Sequence, residues 1–297
     1  MFSLLTRSLN VSKYAIPRYW RAFSRSNRLF NLAKSRSDAW RVKMYSTIPA
    51  GVLMGTVACA SGLPIESAVS IEAEEMYNDK TFSRYDLLQF LRTENQKHPE
   101  DIGIAWRLSR ASYDVANLKA TTSEERKELL YFAKGIIEKA VQLAEDNPQV
   151  HNWYGIILSS VGDYEGSKSS IANSYKIKQH WEKSLQLDPN RSTTYHLLGR
   201  WCMAITDLSW LERKAAAVLF GTPPTSSYHE ALQYLLKCEK IAPGTWKKNA
   251  FLIAQVYLKQ NDRIKAKEWA EKALTVPIET EEDETIHEEI VRMLSKL

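Results

Sequence analysis

Only three cysteines, Cys59, Cys202 and Cys238, occur in 297 residues, and no two form a C-x-x-C pair. That shortage excludes a disulfide framework and makes a cysteine zinc site implausible. The thiols read as small buried hydrophobes in a reducing compartment. Glycine (11) and proline (10) are also few, so the chain is neither collagen-like nor of low complexity. No stretch beyond Glu66 alternates apolar and polar residues convincingly at period two, so no strand is expected there. Acidic residues are almost missing from one region. Residues 1–50 hold ten Lys/Arg against the single acid Asp38, a local charge of +9.

The net charge of +5 therefore joins two unlike parts, because residues 51–297 hold 30 basic and 34 acidic side chains and sum to −4. A mildly acidic body has no charge reason to bind nucleic acid. Residues 1–47 are basic, serine-rich and acid-poor, with Phe2, Leu5 and Leu9 on one helical stripe, the composition of a mitochondrial transit peptide. Arg21-Ala22-Phe23-Ser24 has the form of a matrix-protease site, and the competing reading is a basic disordered tail. No charged residue occurs from Met44 to Ile65. Within that run, residues 48–65 are weakly apolar and interrupted by glycine and proline, either a linker or an inner-membrane anchor.

Enzyme signatures are absent as well. His229-Glu230 and His287-Glu288 begin H-E-x-x-H patterns, but Gln233 and Val291 stand where a second histidine is needed, so no zinc is expected. Gly162–Ser169 resembles a phosphate loop, yet Ser167 separates the last glycine from Lys168 and no strand precedes it. Neither G-x-G-x-x-G nor G-x-S-x-G occurs. The expectation is a protein that is not an enzyme and uses no cofactor.

From Glu66 to Leu297 the apolar residues recur at period 3.6, and self-comparison finds a repeat. In the last copy Ala250, Ile253, Ala254 and Tyr257 lie on a first helix. Asn261-Asp262-Arg263 turn the chain, Ala266, Ala270 and Ala273 line a second helix, and Pro277 ends it. Another copy runs Tyr195, Leu198, Gly199, Cys202 and then, after an insertion, Tyr228, Ala231, Leu235, Cys238, Pro243. Before it, Tyr154, Gly155 and Leu158 precede a predicted turn at Gly162-Asp163-Tyr164, with Trp181, Ser184 and Asp188-Pro189-Asn190 closing the unit. Leu108, Ser109, Ala133, Ile137 and Ala140 form a degenerate copy, and Glu72–Lys97 one further hairpin. The small eighth-position residues Ser109, Gly155, Gly199 and Ala254 stand 46, 44 and 55 apart. The helices are therefore lengthened relative to a 34-residue tetratricopeptide unit.

The expected fold is an all-α, tetratricopeptide-like helical-hairpin solenoid over 66–297, with an acidic, solvated capping helix near Thr280–Leu297. One extra helix begins at Ser209-Trp210-Leu211-Glu212, inside the third complete repeat. Ala215–Phe220 is apolar all round, so both sides of that helix should be covered, or else it is an exposed docking element.

In this repeat the second, fifth, ninth and twelfth positions of each first helix line the concave side. They hold Trp106, Arg110 and Tyr113; Asn152, Ile156 and Ser159; His196, Arg200 and Met203; and Lys248, Phe251, Gln255 and Leu258. The paired Asn and Lys by which such repeats grip a chaperone's terminal carboxylates are missing. The row suits an apolar protein segment carrying an acidic group. The alternative is a lipid, with its acyl chain in the groove and its phosphate on Arg110 or Arg200. The extra helix and the lengthened helices could equally fill this groove.

Several strings are more specific than the repeat itself. They are Val161-Gly162-Asp163-Tyr164-Glu165-Gly166, Ile171-Ala172-Asn173, Tyr175, Ile177-Lys178 and His180, with Trp106-Arg107-Leu108, Arg110-Ala111-Ser112, Trp201-Cys202, Leu219-Phe220 and Thr222-Pro223-Pro224. Over roughly residues 70–290 the chain resembles the regulator of microtubule dynamics family, its basic N-terminus being most like the mitochondrial member. The resemblance implies a helical-repeat scaffold without enzymatic activity, linked to microtubules and the spindle and in some members to mitochondria. The mitochondrion is the expected location, with cytoplasm or spindle as the family-based alternative. A body at −4 is repelled by an acidic microtubule lattice, so the +9 segment must supply any attraction.

Overall fold

The structure, a computed structural model, describes residues 66–220 and 224–297. The segments 1–47 and 48–65, read above as presequence and as linker or anchor, lie outside these residues. The described residues form eleven α-helices and no strand: α1 (Ala68–Asn78), α2 (Arg84–Lys97), α3 (Ile102–Ala116), α4 (Ser123–Leu143), α5 (Pro148–Leu187), α6 (Ser192–Thr206), α7 (Trp210–Phe220), α8 (Tyr228–Ile241), α9 (Lys247–Lys259), α10 (Arg263–Thr275) and α11 (Glu281–Leu294). None of the described helices is long and apolar enough to cross a membrane.

Local sequence sets most of these starts. Ser83, Asp101, Thr122, Ser227 and Asp262 each accept a hydrogen bond from a backbone N–H in the first turn they precede, satisfying a donor the helix cannot. Thr280 and Asp283 close a reciprocal capping box at α11. Asn261, at φ 62°, lets the chain turn between α9 and α10 in the left-handed region.

Three hairpins dominate the packing: α3 on α4, α6 on α8 across the inserted α7, and α9 on α10. Each closes where the repeat reading places its small residue. A Cβ added to Gly199 would stand 2.6 Å from Leu235 Cγ and 3.3 Å from the Ala231 carbonyl oxygen. One added to Gly155 would stand 2.8 Å from Trp181 Cδ1. Ser109 and Ala254 are fully buried at the equivalent crossings. Lys247 is a buried cation whose Nζ donates to the Ala273 and Val276 carbonyls at 3.0 and 2.5 Å, capping the end of α10.

The predicted turn at Gly162-Asp163-Tyr164 is a correction. Residues 162–164 are themselves helical, within the 40-residue span of α5, and the ends of that span meet. Ser184 Oγ donates to the Pro148 carbonyl at 2.8 Å and Trp181 Nε1 to that of Asn152 at 3.2 Å. A straight helix would hold Pro148 and Ser184 about 54 Å apart, so α5 folds into two antiparallel arms. The reversal falls after 162–164, between Glu165 and Asn173, whose amide donates to the Glu165 carboxylate at 3.1 Å. Burial of Val161 and Leu158 in the core outweighs the roughly 1 kcal/mol that a glycine costs a helix.

The inserted helix α7 is the second correction. It packs against α5, and Arg213 fastens it by donating to the Ile205, Thr206 and Leu208 carbonyls at the end of α6. Ala216 is buried, but Val218 is 86% and Trp210 68% exposed. One side of α7 is therefore open, where an all-round apolar composition had implied cover on both.

The array also closes on itself. Lys80, in the loop after α1, donates to Glu279 ahead of α11 at 3.1 Å, across 199 positions of sequence.

Candidate functional site: the inner face of the array

The inner row divides by burial. Trp106, Arg110, Asn152, Ile156, His196 and Phe251 are buried in the packing between helices, whereas Tyr113, Ser159, Arg200, Met203, Lys248 and Gln255 are partly accessible and Leu258 is exposed. Several buried members have structural partners. Asn152 Oδ1 accepts from Thr194 Oγ1 at 2.8 Å, tying α5 to α6. Phe251 packs in one cluster with Ile286 and Ile290 of α11. The His196 ring stacks on Trp246 at 3.8 Å, and its Nδ1 pairs with Asn249 Oδ1 at 3.1 Å.

Arg110 is also engaged. Its Nη1 and Nη2 donate to Glu74 at 3.0 and 2.9 Å, and its guanidinium lies 3.5 Å from the Tyr77 ring centroid. Arg107 shares Glu74 at 2.9 Å and also holds Glu66. Burial opposes charge on Glu74, but the two guanidiniums overrule it and hold the carboxyl below its ordinary value. The pair locks α1 to α3. The phosphate-holding role weighed for Arg110 would have to compete with this bidentate carboxylate.

Among the accessible members, the charge of Arg200 is felt by Tyr113 and Lys248. Tyr113 meets Trp153 edge to face at 5.9 Å. Burial raises the Tyr113 hydroxyl, opposed by Arg200 and reinforced by Glu282 and Asp114. Burial and then Arg200 lower Lys248, which pairs with Glu282 of α11. Burial pushes the Asp114 carboxyl up to about 6, against the pull of Arg110 and Arg84. Buried polar atoms without a hydrogen-bond partner among the described residues include Asp114 Oδ2, Arg110 Nε, His196 Nε2 and His287 Nδ1.

Asp114, Trp153 and Glu282 were not read from the sequence. Asp114 and Trp153 adjoin row positions and could have been found by widening the row by one residue. Glu282 belongs to the capping helix, whose acids the sequence had assigned to solvent.

The described residues contain no group of three His, Cys, Asp or Glu side chains placed for a metal ion. Cys202 and Cys238 are buried free thiols pushed up to about 12 by burial, far from thiolate chemistry.

Stacked two-helix units with small residues at each crossing define a tetratricopeptide-like helical-repeat protein. A thermophilic TPR protein of Thermus thermophilus shares this fold, with a TM-score of 0.52 and 11% identity over 77% of this chain and 100% of that one. Residues 69–297 match the family described as Regulator of microtubule dynamics protein 1-3, and the chain belongs to that family. Among its relatives, Regulator of microtubule dynamics protein 1 of Mus musculus is 43% identical over 201 residues, 68% of this chain and 66% of that protein. The Bos taurus protein of the same name is 39% identical over 251 residues, 84% of this chain and 77% of the relative.

Proposed function

We propose that the chain is a non-enzymatic scaffold that holds a protein partner along its inner face, in the service of the microtubule regulation for which its family is named. Tyr113, Arg200, Met203 and Lys248 are the contacts assigned to that partner, while the buried row members shape the groove behind them. The observation that carries this reading is that Tyr113, Arg200, Met203 and Lys248, drawn from α3, α6 and α9, stay partly accessible on the inner row while most of its other members are buried. Residues 1–47 deliver the protein to mitochondria in this reading, which rests on their composition.

Proximity labelling in cells tests it. The wild-type full chain should label a set of neighbours that Met203→Glu loses while its thermal unfolding is unchanged. An identical set of neighbours for both proteins would move the binding face elsewhere.

A further inference from the structure

The first helix of each hairpin faces inward, which leaves the second helices, α4 among them, on the outer side. There α4 carries a residue the fold does not explain. Gly135 sits in the middle of this helix, exposed, and a Cβ added to it would meet nothing within 4 Å. The backbone does not require it either, since the one positive-φ glycine among the described residues is Gly244. Glycine is a poor helix former, so within this chain it only weakens α4. What a bare backbone does allow is the close approach of another helix axis.

Aromatic rings stand on both sides of that bare position. Toward α5, Tyr131 meets Tyr164 with ring centroids 6.4 Å apart, and Lys134 pairs with Glu165 at 2.7 Å. Toward α2, the Arg92 guanidinium lies 4.8 Å from the Phe132 ring centroid. Tyr131, Phe132 and Tyr164 all remain exposed. They form two ridges with Gly135 in the notch between them. Aromatic surface around a close-approach position has the composition of an interface core.

The charges around the notch select what fills it. On the α2 side, Glu128 and Phe132 precede Gly135 and Lys139 follows it. On the α5 side, Tyr131 precedes it and Glu138 follows. Suppose a second α4 crosses antiparallel at Gly135, related by a twofold axis. Each residue then faces the one equally far beyond Gly135 on the same side. Lys139 of the second copy meets Glu128 and the Phe132 ring, and its Glu138 accepts from the Tyr131 hydroxyl. By symmetry each of these pairs occurs twice. A parallel crossing instead brings Glu128 level with Glu128 and Lys139 level with Lys139, so the charges reject it.

We propose that the outer face of α4 is the contact by which two copies of this chain associate, crossing antiparallel at Gly135. It leaves the inner faces of both copies open, so it does not depend on the partner reading given above.

Sedimentation equilibrium of the full chain over a range of concentrations tests the proposal. Wild type should rise from 34.1 kDa toward twice that mass as concentration increases. Gly135→Gln should weaken association about tenfold or more, because its side chain holds the two axes apart. A Cβ at this position meets nothing, so thermal unfolding of that variant at low concentration should be no lower than that of wild type. Glu128→Lys and Lys139→Glu should each weaken association. The chain carrying both should recover it, because the reversed charges again face their opposites.

A wild-type chain that stays at 34.1 kDa at every concentration overturns the proposal. So does a dimer that Gly135→Gln leaves intact, which would place the contact on another face. A doubly substituted chain that associates no better than the single variants overturns it as well.

Discussion

His151 and His180 hold the two arms of α5 together through a 2.7 Å hydrogen bond between their Nδ1 atoms. His151 Nε2 faces the Glu145 carbonyl at 2.8 Å, so it must carry the proton, and the Nδ1–H of the shared bond belongs to His180. Burial, then the neighbouring His151 and Lys176, push His180 down to about 4. Its pKa in the unfolded chain is the ordinary 6.5 or so. Between those values the unfolded state binds the extra proton, so stability falls as pH drops from about 6.5 to about 4. His196, lowered by burial and Arg200, adds to the same trend. Thermal melting across this range should show the decline in wild type and a shallower one in His180→Gln. Parallel curves would mean that the histidine pair does not titrate with folding.

Removing the carboxylate that serves two buried guanidiniums should be costly. Glu74→Gln is expected to lower stability by about 2–3 kcal/mol, below the range for a fully buried pair because Glu74 is itself partly exposed. Urea unfolding reads this directly. Because the Glu74 carboxyl is held low, its contribution is present above the ordinary carboxylate range and is lost on acidification. The difference between the proteins should therefore shrink as pH falls below about 4.5.

Gly199→Leu forces side-chain atoms into the space that Leu235 and the Ala231 carbonyl already occupy. A loss of about 2–4 kcal/mol is expected from overpacking where α6 crosses α8. A denaturation midpoint equal to wild type would show that the crossing yields easily.

Microtubule co-sedimentation separates the basic segment from the body. Full-length protein should pellet at low salt and release as salt rises, because screening shortens from about 10 Å at 0.1 M to about 3 Å at 1 M. A fragment beginning at Glu66, with its excess of acids, should stay in the supernatant. Salt-resistant pelleting of that fragment would give the repeat body a specific lattice-binding face.

Replacing Arg7, Lys13, Arg18 and Arg21 with Gln should abolish mitochondrial delivery, since import acts on positive charge. Imaging of the full-length variant decides the point, and retained import would count against the presequence.

The crossings were legible because close helix approach demands small residues, and Ser109, Gly155, Gly199 and Ala254 stand out at one register. The reversal of α5 was not. Gly162-Asp163 has the composition of a turn, but a glycine's preference is worth less than the burial of Val161 beside it. The open side of α7 was hidden for a related reason: an apolar composition tells what a helix could bury, and Val218 remains in solvent. In the inner row, periodicity could not tell which residues find a partner elsewhere in the fold. Arg110 finds its carboxylate 36 residues away on α1, and Lys248 finds its own on α11. Those pairings depend on how sharply the superhelix curls, which no single helix encodes.

The contact between Lys80 and Glu279 has a mechanical consequence. In an open stack of repeats each unit reports only to its neighbours, so force applied at the ends extends the stack as it would a spring. The exposed ion pair itself contributes little energy, but it shows that the first loop and the entry to the last helix already stand side by side. Tension between those two points loads the short gap between them before it reaches any hairpin. Under such a pull the body would behave as a clasp, opening at its seam while its coils stay wound.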